Sequence, residues 1–81
     1  MKALTHKDIN EAQAIVEPHM SPTPQLQWPL LCEKFGTEIW VKHENHTPTG
    51  AFKVRGGLVY LDRLSKRANP PSKLITATRG N

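Results

Sequence analysis

Cysteine is nearly absent from this chain of 81 residues, where Cys32 stands alone. An internal disulfide is therefore excluded, and a reducing, cytoplasmic compartment is the expectation. Long apolar runs are missing as well. No stretch approaches the ~18 apolar residues of a membrane span. Met1 to Asp8 contains no apolar core of a secretory leader, so no signal peptide is expected there. Aromatic residues make up only 6% of the chain, and a chain this short buries only about 60% of its unfolded surface. Its core must be thin. Acidic residues are scarce in one half only. Residues 1–52 carry four lysines against six Asp and Glu, whereas residues 53–81 carry seven Lys and Arg against Asp62 alone. A basic half suits nucleic acid or an anionic small ligand. Only Tyr60 interleaves those charges, which argues against base stacking, and Arg63, Lys66 and Arg67 read most simply as a solvated helix face. His6, His19, His43 and His46 include a single close pair. A structural zinc site needs four convergent ligands, so no metal is expected.

What is present is ordered. Ile9, Ala12, Ile15 and Val16 form an apolar stripe that predicts a helix from Thr5 to about Val16. Thr5 is its cap and Asp8 stands in a capping-box position. Glu17-Pro18 ends it. Pro18, Pro22, Pro24 and Pro29 mark an extended loop through residues 20–29. Leu30, Leu31 and Phe35 followed by Gly36 predict a short helical turn with a glycine stop. Ile39 and Val41 alternate with Trp40 and Lys42, predicting a strand near 38–44, and Trp28 and Trp40 are expected in the core. Val54, Leu58, Leu61 and Leu64 recur at helical spacing, predicting a helix near 51–66. Asn69-Pro70-Pro71 breaks it. Leu74 to Thr78 has strand composition. The order strand, helix, strand predicts a βαβ unit with parallel strands, and ligands of open α/β sheets gather at the carboxyl ends of such strands. A two-stranded parallel sheet cannot cover both its faces, so the chain is expected to be the beginning of a larger enzyme, or to need a partner that completes its sheet.

The densest cluster of signals is Thr49-Gly50-Ala51-Phe52-Lys53-Val54-Arg55-Gly56-Gly57. Thr47 to Gly50 are turn and cap residues, which puts Lys53 in or near the first turn of the following helix. The positive end of a helix dipole disfavours an ammonium there by about 0.3–1 kcal/mol. A surface lysine gains nothing from that position, whereas a lysine that must react as a neutral amine does. Against this stands the simple reading of an exposed helix lysine packing its stem on the fold. Two consecutive glycines inside a helix cost roughly 2 kcal/mol relative to alanine. Close approach of a backbone or a ligand is the expected compensation.

Thr-Gly-Ala-Phe-Lys53-Val-Arg-Gly resembles the lysine motif of fold-type-II pyridoxal-phosphate enzymes, most closely the threonine dehydratase and serine racemase branch. Trp40-Val41-Lys42-His43-Glu44-Asn45 resembles the strand and loop leading into that motif. Thr23-Pro24 resembles the threonine-proline before the family's first short strand, and Ala77-Thr78-Arg79-Gly80-Asn81 resembles the start of its Ser-x-Gly-Asn-His loop. The resemblance runs from about Met20 to Asn81.

It implies that Lys53 is the Schiff-base lysine and the base at the substrate Cα, that Phe52 packs near the cofactor ring, and that Asn81 hydrogen-bonds the ring hydroxyl oxygen. It implies that Thr78, Gly80 and Asn81 grip the substrate carboxylate. Thr78 keeps the hydroxyl of the family's serine. Arg79 replaces the second serine of racemase-type members and favours elimination over racemisation. The phosphate cradle and the partner of the pyridine nitrogen would lie outside these 81 residues. The implied protein is an α/β, cytoplasmic, homo-oligomeric lyase. It would use pyridoxal 5'-phosphate on L-threonine or L-serine, with neither nucleic acid nor membrane as partner. Racemases, cysteine synthases and tryptophan synthase β chains are the alternatives within the family. A small basic anion- or nucleic-acid-binding module, or a fragment that completes another chain's sheet, is the alternative outside it.

Overall fold

The computed structural model describes residues 2–78. Its elements run α1 (His6–Val16), β1 (Gln25–Gln27), α2 (Pro29–Phe35), β2 (Trp40–Lys42), a 3-10 turn (Glu44–His46) and α3 (Lys53–Ser65). The first helix starts on a full capping box. Thr5 Oγ1 accepts from the Asp8 N–H at 3.2 Å, and the Asp8 carboxylate accepts from the Thr5 N–H at 2.8 Å. The Thr5 backbone bond, reinforced by the Thr5 hydroxyl, holds the Asp8 carboxyl below its usual value. Proline at the first position opens α2, where its missing N–H is harmless. Gly36, with φ at 65°, closes α2 in the left-handed conformation that glycine adopts without strain.

The helices match the sequence reading closely, but the sheet differs from it. β1 and β2 pair antiparallel, with Gln25 opposite Lys42, Leu26 opposite Val41 and Gln27 opposite Trp40. Two further bonds lengthen this ladder: Trp28 N–H to Ile39 O at 3.3 Å and His43 N–H to Pro24 O at 2.8 Å. The segment expected as a proline-rich loop therefore contains a strand, because Pro24 and Pro29 flank it rather than interrupt it. The strand expected over 38–44 shortens to three residues. The parallel partner expected at 74–78 forms no strand, and Leu74 and Ile75 are 60% and 99% exposed. Closing the short α2 connection between β1 and β2 costs less chain entropy than bringing 74–78 back across α3. The described residues thus form a small α/β unit on a two-stranded antiparallel ribbon.

Packing is sparse. α1 lies against α3, and Val16, Met20 and Leu64 are the buried apolar residues among those described. The radius of gyration is 16.9 Å, against about 12 Å for a compact domain of this length. Trp28 and Trp40, expected in the core, are 44% and 55% exposed. Among the described residues nothing packs over them closely enough to bury them, and Trp28 instead donates its indole N–H to His43 Nε2 at 3.1 Å. Among the described residues no helix is long and apolar enough to cross a membrane.

Candidate active site

The segment leading into α3 is built from its own polar groups. Thr47 is buried. Its hydroxyl donates to Ala51 O at 2.8 Å and accepts from the Ala51 N–H at 2.9 Å. The Gly50 N–H reaches Thr47 O at 3.0 Å. Gly50 has φ at 75°, a left-handed value that a side chain would strain. Thr47 to Ala51 is thus a closed loop whose exit direction is fixed, and it delivers Phe52 and Lys53 side by side at the start of the helix. Phe52 occupies the cap position without a side-chain cap bond, so the cap expected among Thr47 to Gly50 moves two residues later. The Arg55 N–H bonds Phe52 O at 3.2 Å and closes the first turn.

Lys53 is the first residue of α3 and is exposed. Its Nζ lies 5.5 Å from the centroid of the Phe52 ring, which is itself 61% exposed. Among the described residues Lys53 joins no ion pair. Lys42, the other lysine of this region, lies 3.7 Å from Glu44. Of these two lysines, Lys53 is the one whose amine has no carboxylate beside it among the described residues.

Glu44 is the centre of a network that sequence reasoning missed. Arg55 donates Nε to Glu44 Oε2 at 2.6 Å and Nη2 to Glu44 Oε1 at 2.9 Å. The Thr23 hydroxyl donates to Glu44 Oε1 at 2.5 Å, and Arg55 Nη2 also reaches Thr23 Oγ1 at 3.5 Å. The Arg55 bonds, then the Thr23 bond, hold the Glu44 carboxyl down to about 2, and Glu44 raises the Arg55 guanidinium. Opposite charges eleven positions apart in sequence carry no periodic signal. Their partnership is set by the turn between them.

Of the other residues singled out by sequence, Thr78 is exposed and belongs to no helix or strand. Arg79, Gly80 and Asn81 lie outside the described residues. Gly56 and Gly57 have nothing within 4 Å of where a Cβ would stand, so the close approach expected to compensate them is not made by the described residues. Gly56 instead opens onto an apolar groove of about 470 Å³ between α1 and α3, lined by Ile9, Val16, Met20 and Val59. Gly57 lines a second cleft with Tyr60, Leu61, Leu74 and Ile75. The His43 and His46 rings meet edge-on at 5.9 Å. Among the described residues no group of three or more His, Cys, Asp or Glu could hold a metal ion.

The pyridoxal-phosphate dependent enzymes, as a family, match residues 16–81, a stretch that includes the whole lead-in loop and Lys53. The chain belongs to that family. Its cofactor is pyridoxal phosphate. A serine racemase of Dictyostelium discoideum is 41% identical over 56 residues, covering 69% of this chain and 17% of that one. An L-threonine ammonia-lyase of Thermotoga maritima is 33% identical over 78 residues, covering 96% of this chain and 19% of that one. A cysteine synthase B of Salmonella typhimurium is 37% identical over 68 residues, covering 82% and 22%. The chain thus spans about a fifth of the length of these relatives. No solved structure matches it. The described residues suit the cofactor's aldehyde and ring: an exposed primary amine, without a carboxylate partner among them, stands next to an exposed aromatic ring.

Proposed function

We propose that this chain is the N-terminal part of a larger α/β, pyridoxal-phosphate-dependent ammonia-lyase that converts L-threonine or L-serine to a 2-oxo acid and ammonia. The observation that carries the reading is the Lys53 amine. It stands at the start of α3 beside Phe52, with no carboxylate paired to it among the described residues, inside the segment that matches the family. Lys53 would hold the cofactor through Nζ. Once substrate has displaced it, the same amine would take the Cα proton. Phe52 would pack along the ring, and Asn81 would hydrogen-bond the ring hydroxyl oxygen. Thr78, Gly80 and Asn81 would hold the substrate carboxylate through hydroxyl and backbone N–H groups. The cofactor, when bound, supplies an electron sink for the carbanion at Cα. The substrate would thereby lose its β-hydroxyl as water, and a water would release its amino group as ammonia, leaving the 2-oxo acid. In the larger enzyme the two-stranded ribbon would be joined by further strands in a parallel sheet, and the protein would be cytoplasmic and homo-oligomeric.

Similarity to the ammonia-lyase over 96% of the chain supports elimination. The serine racemase at 41% identity favours racemisation as a second reading. Arg79 speaks against it, because it leaves no second hydroxyl as a base for the opposite face. The test uses the full-length enzyme with cofactor. Borohydride reduction and peptide mapping should place the label on Lys53, and L-threonine should give a 2-oxo acid. A label on Lys42 or Lys73 would defeat the site. D-serine formed from L-serine without oxo acid would favour the second reading.

A further inference from the structure

The Glu44 network joins three segments that are distant in sequence. Thr23 precedes β1, Glu44 opens the turn after β2, and Arg55 lies in the first turn of α3. Arg55 comes two residues after Lys53. Positions i and i+2 of a helix lie on opposite sides, about 200° apart. A fork held on one side of the first turn therefore leaves the other side free while fixing its rotation. The fork is bidentate, with both Glu44 oxygens in use, and bidentate pairs fix angle as well as distance. Lys42 Nζ lies 3.7 Å from Glu44 Oε1, the oxygen that also accepts from Arg55 Nη2 and Thr23, so it is paired with the same carboxylate.

We propose that Glu44 is a positioning residue: its carboxylate clamps Arg55 and Thr23 so that the first turn of α3 is fixed and presents Lys53, while keeping Lys42 occupied. Lys53 is thereby selected over its neighbour as the amine that meets an aldehyde. The arrangement acts through Arg55 and touches neither cofactor nor substrate. The inference rests on the reading of Lys53 given above.

The test uses the full-length protein stripped of cofactor, with pyridoxal phosphate as probe. Label trapped by borohydride is mapped by peptide over time, and thermal unfolding and amide exchange are followed alongside. Wild type should label Lys53 first. Glu44→Gln and Arg55→Lys should slow labelling of Lys53 on the order of tenfold, because small misplacements of a reacting group are expensive. Glu44→Gln should in addition spread label to Lys42. Exchange at the Arg55 amide should rise in both, with a fall in unfolding temperature that reflects the lost network but leaves the protein folded at the labelling temperature. Thr23→Val removes only one leg of the network and should slow labelling by about threefold. It keeps the test decisive if Glu44→Gln does not fold. Folded Arg55→Lys and Thr23→Val proteins that label Lys53 at the wild-type rate and selectivity would overturn the clamp, while leaving Lys53 as the anchor. Wild type labelled elsewhere than Lys53 would overturn the functional reading instead.

Discussion

The two ends of α3 are held in opposite ways. At its start, the Thr47–Ala51 loop and the Glu44–Arg55–Thr23 network satisfy one another within the chain. Beyond its end, Leu74 and Ile75 lie open, and Gly57 and Tyr60 face a cleft rather than a packed neighbour. Hydrogen bonds need only their partners, so a local polar network can be complete in a small unit. Apolar faces need area, and three buried apolar side chains supply little. The end of the helix proposed to carry the chemistry is the end whose polar groups find their partners among the described residues.

The sharpest way to break that comparison is at Lys53 in the full-length enzyme. Lys53→Ala should abolish turnover, since loss of a general base alone typically costs about 10²–10⁴ in rate and the covalent anchor goes with it. Unfolding should scarcely change, because the side chain is exposed. Lys53→Arg should fail equally, as a guanidinium stays charged. Steady-state assay of oxo-acid formation beside thermal melts reads both.

The second expectation concerns the open end. The isolated chain should bind pyridoxal phosphate weakly and show no measurable oxo-acid formation from L-threonine. It should also associate as its concentration rises, because its apolar faces have no cover. Light scattering and cofactor titration check this. A monomeric, active 81-residue chain would remove the contrast between the two ends.

The polar end can also be weakened by acid. The folded state holds the Glu44 carboxyl at about 2, against an ordinary 4.5. A depressed carboxylate contributes stability that is fully present above the ordinary value and is lost as pH falls from about 4.5 through 2. The protection factor of the Arg55 amide, with the intrinsic pH dependence of exchange divided out, should therefore fall over that window in wild type and stay nearly flat across it in Glu44→Gln.

The smallest expected effect sharpens the comparison at Gly57. Nothing stands within 4 Å of its missing Cβ. Gly57→Ala should therefore stabilise the isolated chain by up to about 1 kcal/mol through helix propensity. If the full-length enzyme is destabilised by the same change, the rest of the protein supplies the close approach that the glycine pair implies. Paired melts of the two proteins decide it.

The sequence was legible where information is local. Thr5 and Asp8, Gly36, the Val54–Leu64 stripe and the position of Lys53 all follow from neighbours within a few residues. The pairing of β1 with β2 was not legible, because prolines around Gln25 to Gln27 hide a three-residue strand. Leu74 to Thr78 reads as a strand by composition, yet a strand needs a partner, which composition does not provide. Within the site, Phe52 and Lys53 were readable as a motif. The clamp behind them was not, since Thr23, Glu44 and Arg55 meet only through the fold. Thr78, expected at the end of a strand, belongs to none, while Gly80 and Asn81 lie outside the described residues.

The bond between Trp28 and His43 has an optical consequence. The indole donates to Nε2, which assigns the imidazole proton to Nδ1. His43 adjoins Glu44, and its own N–H is fastened to Pro24 O. The Trp28 indole is thus tethered to the residue next to the clamp, and the chain carries a built-in fluorophore at the strand end from which the loop before α3 departs.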